Sequence, residues 1–158
     1  MKKVSKIFAN VLLWVLLALA AVFIFFTLSK KQETQLASLF GFSPLSVQTD
    51  SMTGKNKDSF NAGDLIVISS VDDRKNLKVG DVITFWDLIG GTKQLNTHRI
   101  VEIDDSKEYS YFYTQGDGND ERDFNPKTFD EIVGRYQFKV PGMGGALDFL
   151  SSSWGILC

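Results

Sequence analysis

One cysteine, one histidine and three prolines occur in 158 residues. The cysteine, Cys158, has no partner for a disulfide in this sequence, and with His98 alone beside it an ordinary Cys/His zinc site is excluded. Nothing in the residue pattern calls for a metal or another cofactor. Acidic residues are missing from the first 31 positions, which hold five of the 17 basic residues. The remainder carries 12 basic against 19 acidic residues, a net of −7, and lacks the basic footprint of a nucleic-acid binder. There are no internal repeats, no low-complexity tracts and, after residue 31, no long helical periodicity.

What is present begins with Ile7 to Leu28, 22 residues without a charge. As a helix this run would reach about 33 Å, enough to cross a bilayer core of roughly 30 Å. A buried core helix would carry a polar stripe, and this segment has none. A cleavable signal peptide competes more closely, because Lys2, Lys3 and Lys6 form a basic leader and Ala18-Leu19-Ala20 resembles a cleavage triplet. The apolar run continues past that triplet through Phe26, longer than the usual span of about 7–15 residues. The expectation is a retained transmembrane helix in a lipid bilayer, with residues 1–31 as anchor and basic flanks. Three lysines before the span and two after it favour a cytoplasmic N-terminus and an extracytoplasmic remainder.

Residues 32–48 read as a connector whose apolar part, Leu36–Leu45, is either a first strand or a lip resting on the membrane. Beyond it, Leu65–Ser69, Val82–Trp86, Arg99–Ile103, Tyr109–Tyr113 and Ile132–Val140 are short, β-branched or aromatic, and bounded by Gly, Asp, Asn or Pro. Gly90-Gly91 and Asp117-Gly118 mark turns between them. The pattern predicts a mainly β protein: a small all-β domain, a barrel or a folded-over antiparallel sheet, after one N-terminal transmembrane helix. Residues 49–145 would form that domain and 146–158 a short apolar tail.

His98 is the first chemical candidate. A lone histidine is more often structural than catalytic, but imidazole suits proton transfer from a hydroxyl near neutral pH. Downstream, Thr114–Asp123 holds acids at 117, 120, 121 and 123, with Asp117, Asn119, Glu121 and Asp123 alternating. A calcium loop is excluded, because Arg122 stands where the sixth-position glycine belongs and Thr128 where the bidentate glutamate belongs. The segment is then a solvated acidic turn or the source of an acid that orients the imidazole. Ser51, in Thr49-Asp-Ser-Met-Thr-Gly54, is a weak candidate nucleophile on composition alone, since no G-x-S-x-G elbow is present. Met52 reads as a packing or substrate-wall residue, and Arg99 as an ion-pair partner or a strand-edge residue with no assigned role.

These landmarks together resemble signal peptidase I, in the endoplasmic-reticulum and archaeal branch that also occurs in Gram-positive bacteria. In order they are the N-terminal anchor, Asp50-Ser51-Met52, Gly63-Asp64, Gly80-Asp81-Val-Ile, His98-Arg99, Thr114-Gln-Gly-Asp117 with Asp123, Gly134, and Pro141-Gly-Met-Gly144. The resemblance implies a serine endopeptidase with Ser51 as nucleophile and His98, where the main bacterial branch has lysine, as general base. It puts the triad acid at Asp123, with Asp117 as rival or supporting acid, and the oxyanion donors at the Ser51 N–H and the Thr49 hydroxyl. Gly118-Asn119 departs from the family's usual Asn-Asn after Gly-Asp. The implied partners are exported precursors with small residues before the cut, and the bilayer; whether an accessory subunit is required is not written in the sequence. The implied location is a membrane, bacterial plasma membrane in preference to endoplasmic reticulum. Many relatives continue into a second span, whereas this sequence stops at Cys158. Two rivals remain: a non-enzymatic anchored adaptor or assembly protein, and a protease dedicated to one substrate.

Overall fold

The computed structural model describes residues 10–22, 41–106 and 109–152. The chain divides into two compact units, Met1–Leu39 and Phe40–Cys158. Of the expected anchor Ile7–Leu28, residues 10–22 are helical (α1) with exposed side chains, and the rest lies outside the described residues. Among the described residues no helix is long and apolar enough to cross a membrane.

The second unit is built on one antiparallel sheet. Its strands are β1 (Phe42–Ser46), β2 (Leu65–Ser69), β3 (Val82–Ile89), β4 (Thr92–Asp104), β5 (Tyr111–Gln115) and β6 (Ile132–Val140), in spatial order β1-β2-β6-β3-β4-β5. The sheet is not closed, so the barrel alternative is set aside. The edges β1 and β5 do not pair with each other, and Pro44 leaves β1 without one ladder donor, which suits a terminal strand. β1 lies in the apolar stretch that sequence left open between strand and membrane lip.

The five expected strands all appear, β2 and β6 with the expected limits and β3, β4 and β5 with altered ones. β4 starts at Thr92, seven residues before the expected Arg99, because Thr-Lys-Gln-Leu-Asn-Thr-His is too polar to announce a strand. It is held there by continuous pairing with β3, from Val82↔Arg99 to Ile89↔Thr92. Gly90 and Gly91, at φ 61° and 81°, supply the left-handed pair that a two-residue hairpin turn requires. The tail holds a helix that the sequence reading did not expect, α2 (Gly144–Ser152). Nine residues are too few for a visible helical period, and the helix is positioned from outside: the Gly144 N–H donates to Gly63 C=O at 2.9 Å.

The core gathers on one face of β3, β4 and β5. Ile83, Phe85, Ile100 and Phe112 are buried with Leu77, and Val71, Ile103, Phe129 and Ile132 pack against them. On β3 the four residues Val82 to Phe85 are all buried, so this strand is covered on both faces. Thr84 and Thr97 share a hydroxyl hydrogen bond of 2.8 Å, so the buried Thr84 side chain on the second face is satisfied. Replacing Phe112 with alanine is expected to cost about 3–5 kcal/mol, read as a lowered midpoint in denaturant unfolding of the full chain. A loss under about 1 kcal/mol would show that this cluster is not the core that holds β5.

Candidate active site

Ser51 sits in a tight turn. Thr53 N–H donates to Asp50 C=O at 3.0 Å, and the Asp50 carboxyl accepts from Ala62 N–H at 2.9 Å. Met52, 1% exposed, drives its side chain inward, and Phe60 N–H closes onto Met52 C=O at 3.1 Å. Burial of Met52 and the ties to Phe60 and Ala62 thus hold the turn while Ser51 stays half-buried. Ser51 Oγ lies 3.3 Å from Thr49 Oγ1, so these two sequence candidates are together.

His98 is on β4, opposite Ile83, and only 5% exposed. Its ring meets the Phe85 ring edge-on, with centroids 6.2 Å apart. Nδ1 lies 2.6 Å from Asp123 Oδ2, and the same oxygen accepts from Thr114 Oγ1 at 2.6 Å. Asp123 is itself fixed by its N–H, which donates to Thr114 C=O at 2.7 Å. Nε2, the other ring nitrogen, is buried and has no hydrogen-bond partner among the described residues. No hydrogen bond joins it to Ser51.

Of the two candidate acids, then, Asp123 meets His98 and Asp117 does not. Asp117 faces Arg99, which donates to it through Nε at 2.8 Å and Nη2 at 2.7 Å. Arg99 also grips Asp58 through both terminal nitrogens, at 2.9 and 2.7 Å, and Ser59 Oγ donates to Asp117. Burial works to raise the Asp117 carboxyl, but the Arg99, Ser59 and Asn56 hydrogen bonds outweigh it and hold it at about 2. Arg99's hydrogen bond lowers Asp58 in the same way, and Asp117 and Asp58 raise Arg99 in return. Sequence gave Arg99 no role and passed over Asp58 and Ser59. Arg99 and Asp58 are 41 residues apart, and no local pattern links them.

The loop carrying both acids also touches the serine turn. Gly118 N–H donates to Ser51 C=O at 2.9 Å, and Asp117 N–H points at the Met52 sulfur. A side chain at Gly116 would collide with Ser51 C=O, and one at Gly118 would stand 3.0 Å from the carbonyls of Asp50 and Thr53. Glycine at both positions lets two backbones meet directly. In front of Ser51 runs a groove of about 250 Å³, lined by Leu45, Val47, Thr49, Ile66, Leu95 and Thr97 among others. On its β4 side, Ile100 exchanges hydrogen bonds with Gly80 and Asp81, so the alternation turns Leu95 and Thr97 backbone groups away from β3. β5 pairs with β4 only from Arg99 onward, which leaves that edge without a strand. Among the described residues no group of His, Cys, Asp and Glu is arranged to hold a metal ion.

No protein-family model matches the chain. It is 31% identical over 137 residues to signal peptidase I W of Bacillus subtilis (strain 168), a match covering 86% of this chain and 68% of that protein. The chain belongs to the signal peptidase I family. It is accordingly a serine endopeptidase, and the adaptor rival loses its ground. For this signal peptidase I homologue the Arg99 cluster supplies a pH test. Because folding lowers the Asp117 carboxyl from 3.8 to about 2, its contribution is fully present above pH 3.8 and lost as pH falls through 2. Acid unfolding of wild type should therefore steepen in that window. Asp117→Asn should flatten the pH dependence there by about 2 kcal/mol, measured by denaturant titration at each pH. Equal slopes would show that Asp117 is not held by Arg99.

Proposed function

We propose that this chain is a membrane-anchored peptidase that removes signal peptides from exported precursors, with Ser51 as nucleophile, His98 as general base and Asp123 as the acid that orients it. The observation that carries the reading is the state of His98: one ring nitrogen is tied to Asp123 at 2.6 Å and the other is buried without a partner. A buried polar atom left unpaired costs stability and calls for an explanation. The Asp123 carboxylate accepts a hydrogen bond from Nδ1–H, which leaves Nε2 as an acceptor, the tautomer a general base needs.

The mechanism follows from these groups. Nε2 takes the hydroxyl proton as Ser51 Oγ adds to the carbonyl carbon of the scissile peptide bond. The imidazolium then gives that proton to the departing amine, leaving an acyl ester on Ser51. Water, deprotonated by the same nitrogen, hydrolyses the ester. Charge on the tetrahedral oxygen is met by the Ser51 N–H and Thr49 Oγ1, the hydroxyl already 3.3 Å from Ser51 Oγ. Asp117 supports the loop through Arg99 and has no proton to transfer. No hydrogen bond links serine and histidine before substrate arrives, which is common in free enzymes and is completed in the bound complex.

The precursor segment would lie extended in the groove and add as a strand to the Leu95–Thr97 edge. Walls such as Leu45, Val47 and Ile66 favour small apolar side chains before the cut. The charge-free Ile7–Leu28 would hold the enzyme in the membrane, with the sheet on the extracytoplasmic face where precursors emerge.

Ser51→Ala and His98→Ala are each expected to lower kcat on a labelled precursor by at least about 10³-fold in detergent, Ser51→Ala with its unfolding curve unchanged. Thr49→Ala should cost about 10²–10³-fold, and Thr49→Ser should recover most of it. Full turnover by Ser51→Ala would refute the assignment of the nucleophile.

A further inference from the structure

Lys127 is only 4% exposed. Its Nζ is 2.7 Å from Asp87 Oδ1 and sits 5.1 Å from the centre of the Phe85 ring. A buried ammonium is costly unless it is paired, and this one has a carboxylate and an aromatic face. Burial works against ionised Asp87, but the hydrogen bond and charge of Lys127 outweigh it and hold the carboxyl below its usual range.

The location gives the pair its meaning. Along β3, Ile83, Phe85 and Asp87 share one face, and opposite them on β4 stand His98, Asn96 and Gln94. Lys127 thus covers the same face as His98, with Phe85 between them touching both. Asp87 also reaches Asn96 Nδ2 at 3.5 Å, and Asn96 lines the groove. The backbone of Lys127 exchanges two hydrogen bonds of 2.8 Å with Phe112, four residues after Asp123 makes its own on Thr114. The loop that brings Asp123 to His98 therefore returns to β5 at Lys127, and its side chain ties that return to β3.

We propose that Lys127, through Asp87, is a positioning residue for the general base: it locks the returning end of the Asp123 loop to β3 and holds the Phe85 ring against which His98 packs. Without the lock Asp123 and His98 lose their common alignment, and turnover falls while substrate binding persists. This rests on the reading of His98 and Asp123 as base and acid.

The test uses the full chain in detergent and a labelled export precursor with alanines before its cut. Lys127→Met should lower kcat about tenfold or more, the cost of a misplaced catalytic group, with KM within about twofold. Lys127→Arg, which keeps the charge, should recover most of the loss. His98 is the only histidine, so its Nδ1 proton gives one low-field NMR signal. That signal should shift or vanish in Lys127→Met and return in Lys127→Arg. If Lys127→Met folds poorly, the double variant Lys127→Met/Asp87→Leu removes both charges and should fold, because a buried pair exchanged for apolar residues is often tolerated. Its kcat should stay low, since the directional link is gone. Recovery of kcat in the double variant, or an unchanged kcat and unchanged signal in Lys127→Met, would reduce Lys127 to a structural role and overturn the proposal. Turnover retained by His98→Gln would instead sink the underlying function reading.

Discussion

Two neighbours on β4, His98 and Arg99, take hold of one loop from opposite faces of the sheet. Strand alternation sends consecutive side chains to opposite sides. His98 therefore lies on the face of Ile83 and Phe85 and meets Asp123, while Arg99 lies on the other and meets Asp117. The two carboxylates are six residues apart on the same loop, which passes over the end of β5 at Gln115. Gly116 and Gly118 bring that loop's backbone against the Ser51 turn. Position of the serine, orientation of the histidine and the ion cluster behind them thus depend on one shared constraint. Arg99 with Asp58 and Asp117 extends it to the segment just after the serine, where Asp58 and Ser59 lie.

The openness of the sheet follows the same logic. A barrel would have paired every edge. Here β5 is short and covers only the second half of β4, so Leu95 and Thr97 present backbone groups to a groove that ends at Thr49 and Ser51. In the proposed binding mode the edge is exposed where an extended peptide would add, and the polar first half of β4, an aggregation hazard were it apolar, is suited to that exposure. On the same proposal, side-chain recognition would fall to the apolar residues of β1 and β2 that line the groove.

Much of this was legible in the sequence, and the failures have physical causes. β2 and β3 announced themselves through β-branched runs after Gly-Asp, and β6 through its own apolar and aromatic run, because buried strands must be apolar on at least one face. The first half of β4 and the helix Gly144–Ser152 did not, one being polar along an edge that β5 leaves uncovered and the other only nine residues long. Ser51, His98 and Asp123 stood out through an ordered set of short motifs, not through composition, which ranked the serine low. Asp58, Ser59, Asp87 and Lys127 carried no signal. Their roles arise from contacts between segments tens of residues apart, and only folding defines such contacts. The motif order favoured Asp123 over Asp117 without deciding between them, because spacing alone cannot say on which face of a strand a loop residue will land.

The central claim is that Ser51 attacks the substrate with His98 as its base, and an acid quench during turnover tests it most directly. Mass spectrometry of the quenched protein, after incubation with a labelled precursor, should find the acyl group on the peptide containing Ser51 in wild type and not in His98→Ala. An adduct on any other residue, or an equal adduct formed without His98, would contradict the account.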